Sequence, residues 1–574
     1  MKQTLLLQRD TKGNAKRFAI RCNFEDKERV KKAGSGSARW SKTDKMWTVP
    51  PDPVILKRLI HIFPNAFIAP ELQEYLDALY EKQQQIYLST DTDEPIRPDS
   101  KLFPFQNSSV RVLDAAGSII LGHNMGLGKT PIACSALDYI GAKRVLIVCP
   151  SSVKWSWVDH LVEWAERTDL YVLESRSLKG NNASIIYSKR DDALVGLFTE
   201  EETSVVLMSY DMMRIHIETL IAFDYDVVIF DEAHRLKNRK AKSTEAAMRL
   251  CQSCAHKWLL TGTPIRNHYT DIYTLLSMID PIRFSSYWNF VNTYLETVPN
   301  IFGGTDIIGL KSEEEFNSML SVYMYKLTKE EVLKDLPPKI YTDLKLPMNE
   351  AQAKMYRDME TQMMVAIHKE LEEGVQISKV ISAPNTIAQI IRLRQICLSP
   401  ALIGGPEDSA KIDAIYDLLK DLLEAEEQIV IFTYFREFLK YVAGLLDSIG
   451  IPYGQIVGGQ SSTDRYEVQK ALTSGEYPIV IGTAQSMGEG MNLQAASTAI
   501  FCDIDWVPAN NEQAEDRIHR GEIKKSPNII RLKHPDTIET DIWATCRRKE
   551  EIKDNAIGSV ETIRNLILRK ETEN

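Results

Sequence analysis

Two short stretches carry residue types that could do chemistry together. The first runs from Ser118 to Thr130. Ile119, Ile120 and Leu121 read as a buried strand, a glycine-bearing loop follows, and Lys129-Thr130 opens a helix with apolar positions at Ile132, Ala133, Ala136, Leu137 and Ile140. In a strand, glycine loop and helix of this kind, the backbone of Gly126, Leu127 and Gly128 can crowd onto phosphate oxygens. Lys129 then supplies positive charge for the β- and γ-phosphates, the Thr130 hydroxyl suits Mg²⁺, and the helix N-terminus adds its partial charge. The usual pattern has glycine five positions before Gly128, where this chain has His123. Taken alone, the stretch is also compatible with a strand–turn–helix that carries chance glycines.

The second stretch is Val227-Val228-Ile229-Phe230-Asp231-Glu232-Ala233-His234. Four apolar residues predict a central parallel strand with two acids at its carboxyl end, the edge where α/β sheets bind ligands. Asp231 is placed to hold Mg²⁺, directly or through water, and Glu232 to position and deprotonate an attacking water. Further on, Gln513 to Arg520 sets Arg517 and Arg520 three apart. On one helix face these two could reach a γ-phosphate. That octet alone fits a charged helix surface at least as well. Cys251-x-x-Cys254 with His256 has no second pair at zinc spacing, so a packed helix is the better reading there.

The elements that must position these residues alternate between strand and helix. Val145 to Pro150, Val205 to Tyr210 and Lys257 to Leu260 read as further buried strands, the last running into Thr261-Gly262-Thr263-Pro264. The rhythm breaks over 281–405, which is rich in helical patterns and aromatics. It resumes at Gln428 to Thr433, Tyr477 to Thr483 and Thr498 to Asp503, a second α/β domain without a phosphate loop of its own.

Ahead of both, residues 14–66 read as a small independent strand–helix–strand module. Residues 1–60 hold 15 Lys and Arg against 6 Asp and Glu, whereas the rest of the chain carries a balance of −19, so contact with a polyanion is expected to be local. Basic residues interleaved with Trp40 and Trp47 could bind DNA by phosphate contact and stacking, although the Trp pair suits the core of a tiny domain better. With 44% hydrophobic and 26% charged residues the composition is that of a soluble globular chain. No apolar run reaches transmembrane length, and the N-terminus is too short in its apolar part for a signal peptide. Eight scattered cysteines suit a reducing compartment.

The order of these motifs resembles Swi/Snf-type ATPases of helicase superfamily 2. The residues that carry the resemblance are Met125 to Thr130, Asp231 to His234, Leu259 to Asn267, Leu393 to Cys397, Gly488 to Leu493 and Gln513 to Arg520. Within that family, Phe103-Pro104-Phe105-Gln106, Cys149 to Val153 and the basic N-terminal module are most similar to the HARP-type annealing helicases. The resemblance implies that Gln106 reads adenine, that Gly490 lies at the nucleotide cleft, and that Arg517 and Arg520 complete the site from the second lobe. It also implies that Ser151, Ser152 and Lys154 lie near DNA phosphates, that Thr261 and Thr263 couple nucleotide state to DNA grip, and that Thr483 and Asn492 lie on the DNA or cleft face of the second lobe. The chain departs from the family at His123-Asn124, where two acids are usual, at Gly521-Glu522 after Arg520, and at Tyr325-Lys326, where paired arginines are usual.

The expected fold is α/β, with two RecA-like lobes, helical insertions and a small α+β N-terminal module. The expected boundaries are 1–70 for the basic module, 71–99 for a helix and linker, 100–285 for lobe 1, 286–405 for the insertions, 406–548 for lobe 2 and 549–574 for a C-terminal helix. The implied function is a DNA-dependent ATPase, using ATP and Mg²⁺, that moves on duplex, forked or junction DNA without base readout and remodels forks or anneals strands. A general duplex translocase and an ATP-gated DNA scaffold share the motifs. A monomer working with replication or repair proteins, and no membrane, is expected. The expected setting is the cytoplasm of a prokaryotic or virus-infected cell, or the nucleus in a eukaryote.

Overall fold

A computed structural model describes residues 4–9, 16–42, 44–92, 94–174, 184–187, 204–265, 268–299, 305–333, 337–372, 384–460, 462–487, 491–519, 525–540, 542–543 and 546. The chain divides into two compact units. The first comprises Met1–Asn124 and Gly128–Val332; the second is built on residues 333–552, with the loop tripeptide Met125–Leu127.

The first unit centres on an eight-stranded, all-parallel sheet. In order across it lie Met324–Tyr325, Ser118–Leu121, Cys254–Leu260, Tyr225–Asp231, Arg144–Cys149, Ser204–Ser209, Leu170–Glu174 and Ser184–Tyr187. Parallel strands need both faces covered. The sequence meets that demand with near-continuous apolar runs: Val145 to Cys149 and Val205 to Met208 are fully buried. Pairing register sets Asp231 opposite Leu260, and Leu260 opposite Leu121. The acid therefore leaves the sheet at the same level as the start of the phosphate loop, two strands away.

The second unit has its own all-parallel sheet, ordered Ile340–Lys345, Asn528–Lys533, Thr498–Phe501, Ile429–Thr433, Ile479–Thr483 and Tyr453–Ile456. Alternate residues serve its two faces. Ile429, Ile431, Ile479, Ile481 and Ile500 pack on one side, and Val430, Phe432, Val480, Ala499 and Phe501 on the other. Two such sheets are what RecA-like lobes require.

Residues 286–405 are not purely helical insertions. Leu295–Pro299 and Thr305–Leu310 form an antiparallel ribbon, Met324–Tyr325 becomes the edge strand of the first sheet, and Ile340–Lys345 the edge strand of the second. Short edge strands carry weak apolar runs, and that is why periodicity alone reads past them. The N-terminal sheet orders Arg39–Ser41, Met46–Val49, Lys16–Arg21, Thr4–Arg9 and Phe67–Ile68, with helices Lys27–Ala33 and Pro53–Ile62. Its core is Leu5, Phe18, Ile20, Val30, Ile55 and Leu59. Trp47 is half-buried against this core, but Trp40 is 47% exposed and only meets the Trp47 ring edge-on at 5.5 Å. The core reading of the pair therefore fails for Trp40. Pro70–Thr90 forms the expected helix, while 549–574 lie outside the described residues.

Candidate functional site

The helix Lys129–Tyr139 starts directly at the phosphate loop, and Gly126 and Gly128 adopt φ +85° and +74°, left-handed values that favour glycine. A Cβ at Gly128 would overlap the side-chain amide of Gln106. Gln106 is itself buried near the start of helix Pro104–Ala116, where its Oε1 accepts from the Phe103 N–H at 2.9 Å. The Lys129 ammonium donates to the carbonyls of His123 at 2.8 Å and Asn124 at 3.2 Å. Thr130, the second residue of the helix, is half-buried. Two left-handed glycines, a lysine folded over the loop and an amide close against the Gly128 backbone form a cradle that suits phosphate groups.

Asp231 ends the central strand. Its Oδ2 accepts from the Trp157 indole N–H at 2.8 Å, and its Oδ1 from the Glu232 N–H at 2.9 Å. Burial, and then the neighbouring Glu232 charge, push its carboxyl up to about 6, with the Lys129 ammonium pulling the other way. Burial and the Glu232 charge outweigh Lys129 at this carboxyl, a balance that a bound divalent cation would reverse. Glu232 has φ +51°, an unusual conformation for a residue with a Cβ, and its Oε2 lies 3.2 Å from His234 Nδ1. The same nitrogen lies 3.3 Å from Thr261 Oγ1, which accepts from the Thr263 N–H at 3.2 Å. Thr261 and Thr263 are both buried, so they cannot touch DNA directly here. What links them to Glu232 is His234. The first sheet thus brings Lys129, Thr130, Asp231, Glu232 and Gln106 to one edge.

Other expected site residues fall elsewhere. Ser151 is exposed, and the Ser152 side chain lies outside the described residues. Lys154 turns inward: it is 3% exposed, and its ammonium donates to the Leu173 carbonyl at 3.1 Å. It is therefore not offered to a phosphate, contrary to the sequence expectation. Thr483 Oγ1 caps the short helix Ala484–Met487, accepting from the Ser486 N–H at 3.2 Å, and Asn492 Oδ1 accepts from the Gln494 N–H at 3.2 Å. Helix Pro508–Glu515 stops before Arg517, so Arg517 does not lie on it. Arg517 is buried and donates to the carbonyls of Gln513 and Met491 at 3.2 and 3.3 Å. Gly490 and Arg520 lie outside the described residues. Cys254 Sγ donates to the Cys251 carbonyl, and among the described residues no group of His, Cys, Asp and Glu is arranged to hold a metal ion.

Sequence reading missed Trp157, His234 and His123 as parts of the site. His123 left a signal in its departure from the glycine expected there, and His234 in closing the Asp231–His234 string, though neither was given a role; Trp157 left none. It also missed a basic cavity of about 690 Å³, lined by Arg29, Lys32, Lys57, Arg58 and His61 of the N-terminal module and by Glu315. Arg58 is held by Glu315 at 2.6 Å and Arg29 by Asp26 at 3.1 Å.

A parallel sheet with a glycine loop, lysine and acid at one edge, in a chain with a second parallel-sheet unit, defines a phosphate-loop protein of helicase type. The chain belongs to the SNF2-related family: residues 44–402 match the SNF2-related domain, and residues 410–522 match the helicase conserved C-terminal domain. It is 29% identical over 462 residues to the Drosophila melanogaster SWI/SNF-related matrix-associated actin-dependent regulator of chromatin subfamily A-like protein 1, a match covering 79% of this chain and 55% of that protein. It is 25% identical over 478 residues to human DNA annealing helicase and endonuclease ZRANB3, covering 81% of this chain and 41% of that one. The chain thus spans about half the length of the curated relatives it matches. The Sulfolobus solfataricus SWI2/SNF2 ATPase core in complex with dsDNA aligns at TM-score 0.35 and 22% identity, over 82% of this chain and 98% of that one. Among the described residues no helix is long and apolar enough to cross a membrane.

Proposed function

We propose that this protein is a DNA-dependent ATPase that translocates on duplex or branched DNA and remodels forks or anneals strands. The observation that carries the reading is the alignment of Lys129 and Asp231 at one edge of one parallel sheet, in a chain of the SNF2-related family. The similarity to a protein described as a DNA annealing helicase supports strand annealing over plain translocation.

In this mechanism Gln106 contacts the base, and the loop amides of Gly126, Leu127 and Gly128 with Lys129 bind the triphosphate. Thr130 and Asp231 would hold Mg²⁺, which would neutralise phosphate charge. Glu232 orients the attacking water and takes its proton. The Glu232–His234–Thr261 chain passes the state of the site to the buried Thr263 segment. Arg517 and Arg520 act on the γ-phosphate, and Arg517 must first release its carbonyl partners. DNA is gripped through its phosphates without base readout, with Ser151, Thr483 and Asn492 as contacts and the basic cavity as a further one.

Steady-state ATPase rates with no DNA, single strands, plain duplex and forked duplex test this reading. Fork stimulation is expected, and Glu232→Gln is expected to lose about 10²–10⁴-fold in turnover while still binding ATP. Indifference to every DNA sinks the proposal. Equal stimulation by plain duplex and fork leaves a general duplex translocase.

A further inference from the structure

The phosphate loop opens on a histidine that no catalytic step uses. His123 is fully buried, and both its ring nitrogens are engaged. Nδ1 lies 3.1 Å from the Leu327 backbone nitrogen. A backbone N–H can only donate, so Nδ1 accepts and carries no proton. The ring proton is therefore on Nε2, which lies 2.8 Å from Ser109 Oγ. The Ser109 hydroxyl donates its own proton to the Phe105 carbonyl at 2.6 Å, leaving its oxygen free to accept from the imidazole. One proton serves each bond, and the tautomer follows from the partners.

Each contact lands on a different functional element. Ser109 and Phe105 belong to helix Pro104–Ala116, which carries Gln106. Leu327 follows the edge strand Met324–Tyr325, and its carbonyl accepts from the Asn124 N–H at 3.0 Å. The backbone carbonyl of His123 accepts from the Lys129 ammonium at 2.8 Å. The Tyr325 ring meets the imidazole edge-on at 5.0 Å and closes the remaining side. The imidazole is thus a strut between the element that would read the base and the element that would hold the phosphates. The overlap that a Cβ at Gly128 would make with Gln106 leaves little slack between them.

We propose that His123 is a positioning residue: by tying Ser109 to the phosphate loop it fixes the span from Gln106 to Lys129 and so sets selectivity for adenine over other bases. The proposal rests on the reading of this loop as an ATP site. Its physical basis is that an amide rejects the wrong base only when the triphosphate end is also fixed, because displacement by a fraction of a hydrogen-bond length removes the discrimination.

The test compares kcat and KM for ATP and GTP, with forked duplex DNA present, in the wild-type chain, His123→Asn, Ser109→Ala and the double variant, with Tm measured on each. His123→Asn keeps an acceptor for the Leu327 N–H but does not reach Ser109. Ser109→Ala removes the same link from the other side with little change in packing. Each variant is expected to raise the KM for ATP and to lower the ATP-over-GTP ratio of kcat/KM by about tenfold, the scale of one hydrogen bond, with less effect on kcat. The double variant is expected to lose no more than either single one, because both cut one link. Variants with a lower Tm and an unchanged ATP-over-GTP ratio would show His123 to be packing alone and overturn the proposal. A wild type that hydrolyses ATP and GTP alike also overturns it, while leaving the nucleotidase reading in place. A wild type that hydrolyses neither overturns the ATPase reading, and this proposal with it.

Discussion

Asp52 and Arg283, 231 residues apart in sequence, form a buried two-point ion pair, with Arg283 nitrogens 3.0 and 3.1 Å from the two Asp52 oxygens. The Tyr294 hydroxyl donates to Asp52 at 2.6 Å and accepts from Arg283 at 2.9 Å. Asp52 also caps helix Pro53–Ile62 through the Val54 N–H at 2.9 Å. The N-terminal module is therefore locked into the first unit and is not tethered as a separate bead. Removing one member of a buried pair strands the other, at a cost of about 3–5 kcal/mol. Asp52→Ala is expected to lower unfolding stability by that order, with Asp52→Leu combined with Arg283→Met recovering much of it. Urea denaturation measures both; an unshifted midpoint for Asp52→Ala would refute the docking.

Gly128 gives a sharper test of the cradle. Gly128→Ala places a Cβ at φ +74° against Gln106, whose amide is already committed to the Phe103 N–H. The backbone strain alone is worth about 1–2 kcal/mol. Weaker ATP binding is expected, by about tenfold or more, with only a small change in DNA affinity in the absence of nucleotide. Fluorescent-nucleotide titration reads the first and filter binding the second; unaltered ATP affinity would mean that the loop does not hold the triphosphate.

The Asp231 carboxyl titrates near 6, above its ordinary 3.8, because it is buried beside Glu232. A raised folded-state value favours folding below pH 3.8, and that contribution is lost as pH rises through about 6. Asp231→Asn cannot ionise. The difference in Tm between Asp231→Asn and wild type, both without nucleotide or metal, should therefore move in the variant's favour from pH 5 to pH 7.5. Calorimetry at the two values checks the sign; movement toward the wild type contradicts it.

The basic cavity predicts a specific salt signature. Lys32 and Lys57 line it, so Lys32→Glu with Lys57→Glu should weaken binding to all DNA sequences alike. The slope of log affinity against log salt should fall by about two, one for each lost phosphate contact. Anisotropy titrations over a salt series measure it. An unchanged slope would remove the cavity from the DNA path.

The candidate site residues and the layer pattern were legible along the chain. Glycine loop, lysine and paired acids are local strings, and the apolar runs at Val145–Cys149, Val227–Phe230 and Ile429–Thr433 can be satisfied only inside two-sided parallel sheets. Family membership followed from the order of those strings. Tertiary structure decided whatever depends on a partner far along the chain. Lys154 looks like a surface cation until Leu173 offers a buried carbonyl. Arg517 looks helical until the turn after Glu515 aims it at Met491. Asp52 gives no sign in the sequence of its pairing with Arg283, 231 residues away. His123 looks like a flaw in a motif until Ser109 and Leu327 fix its tautomer. Local propensity and periodicity act over a few residues, whereas burial, hydrogen-bond partners and charge pairing are set only when distant segments close on one another.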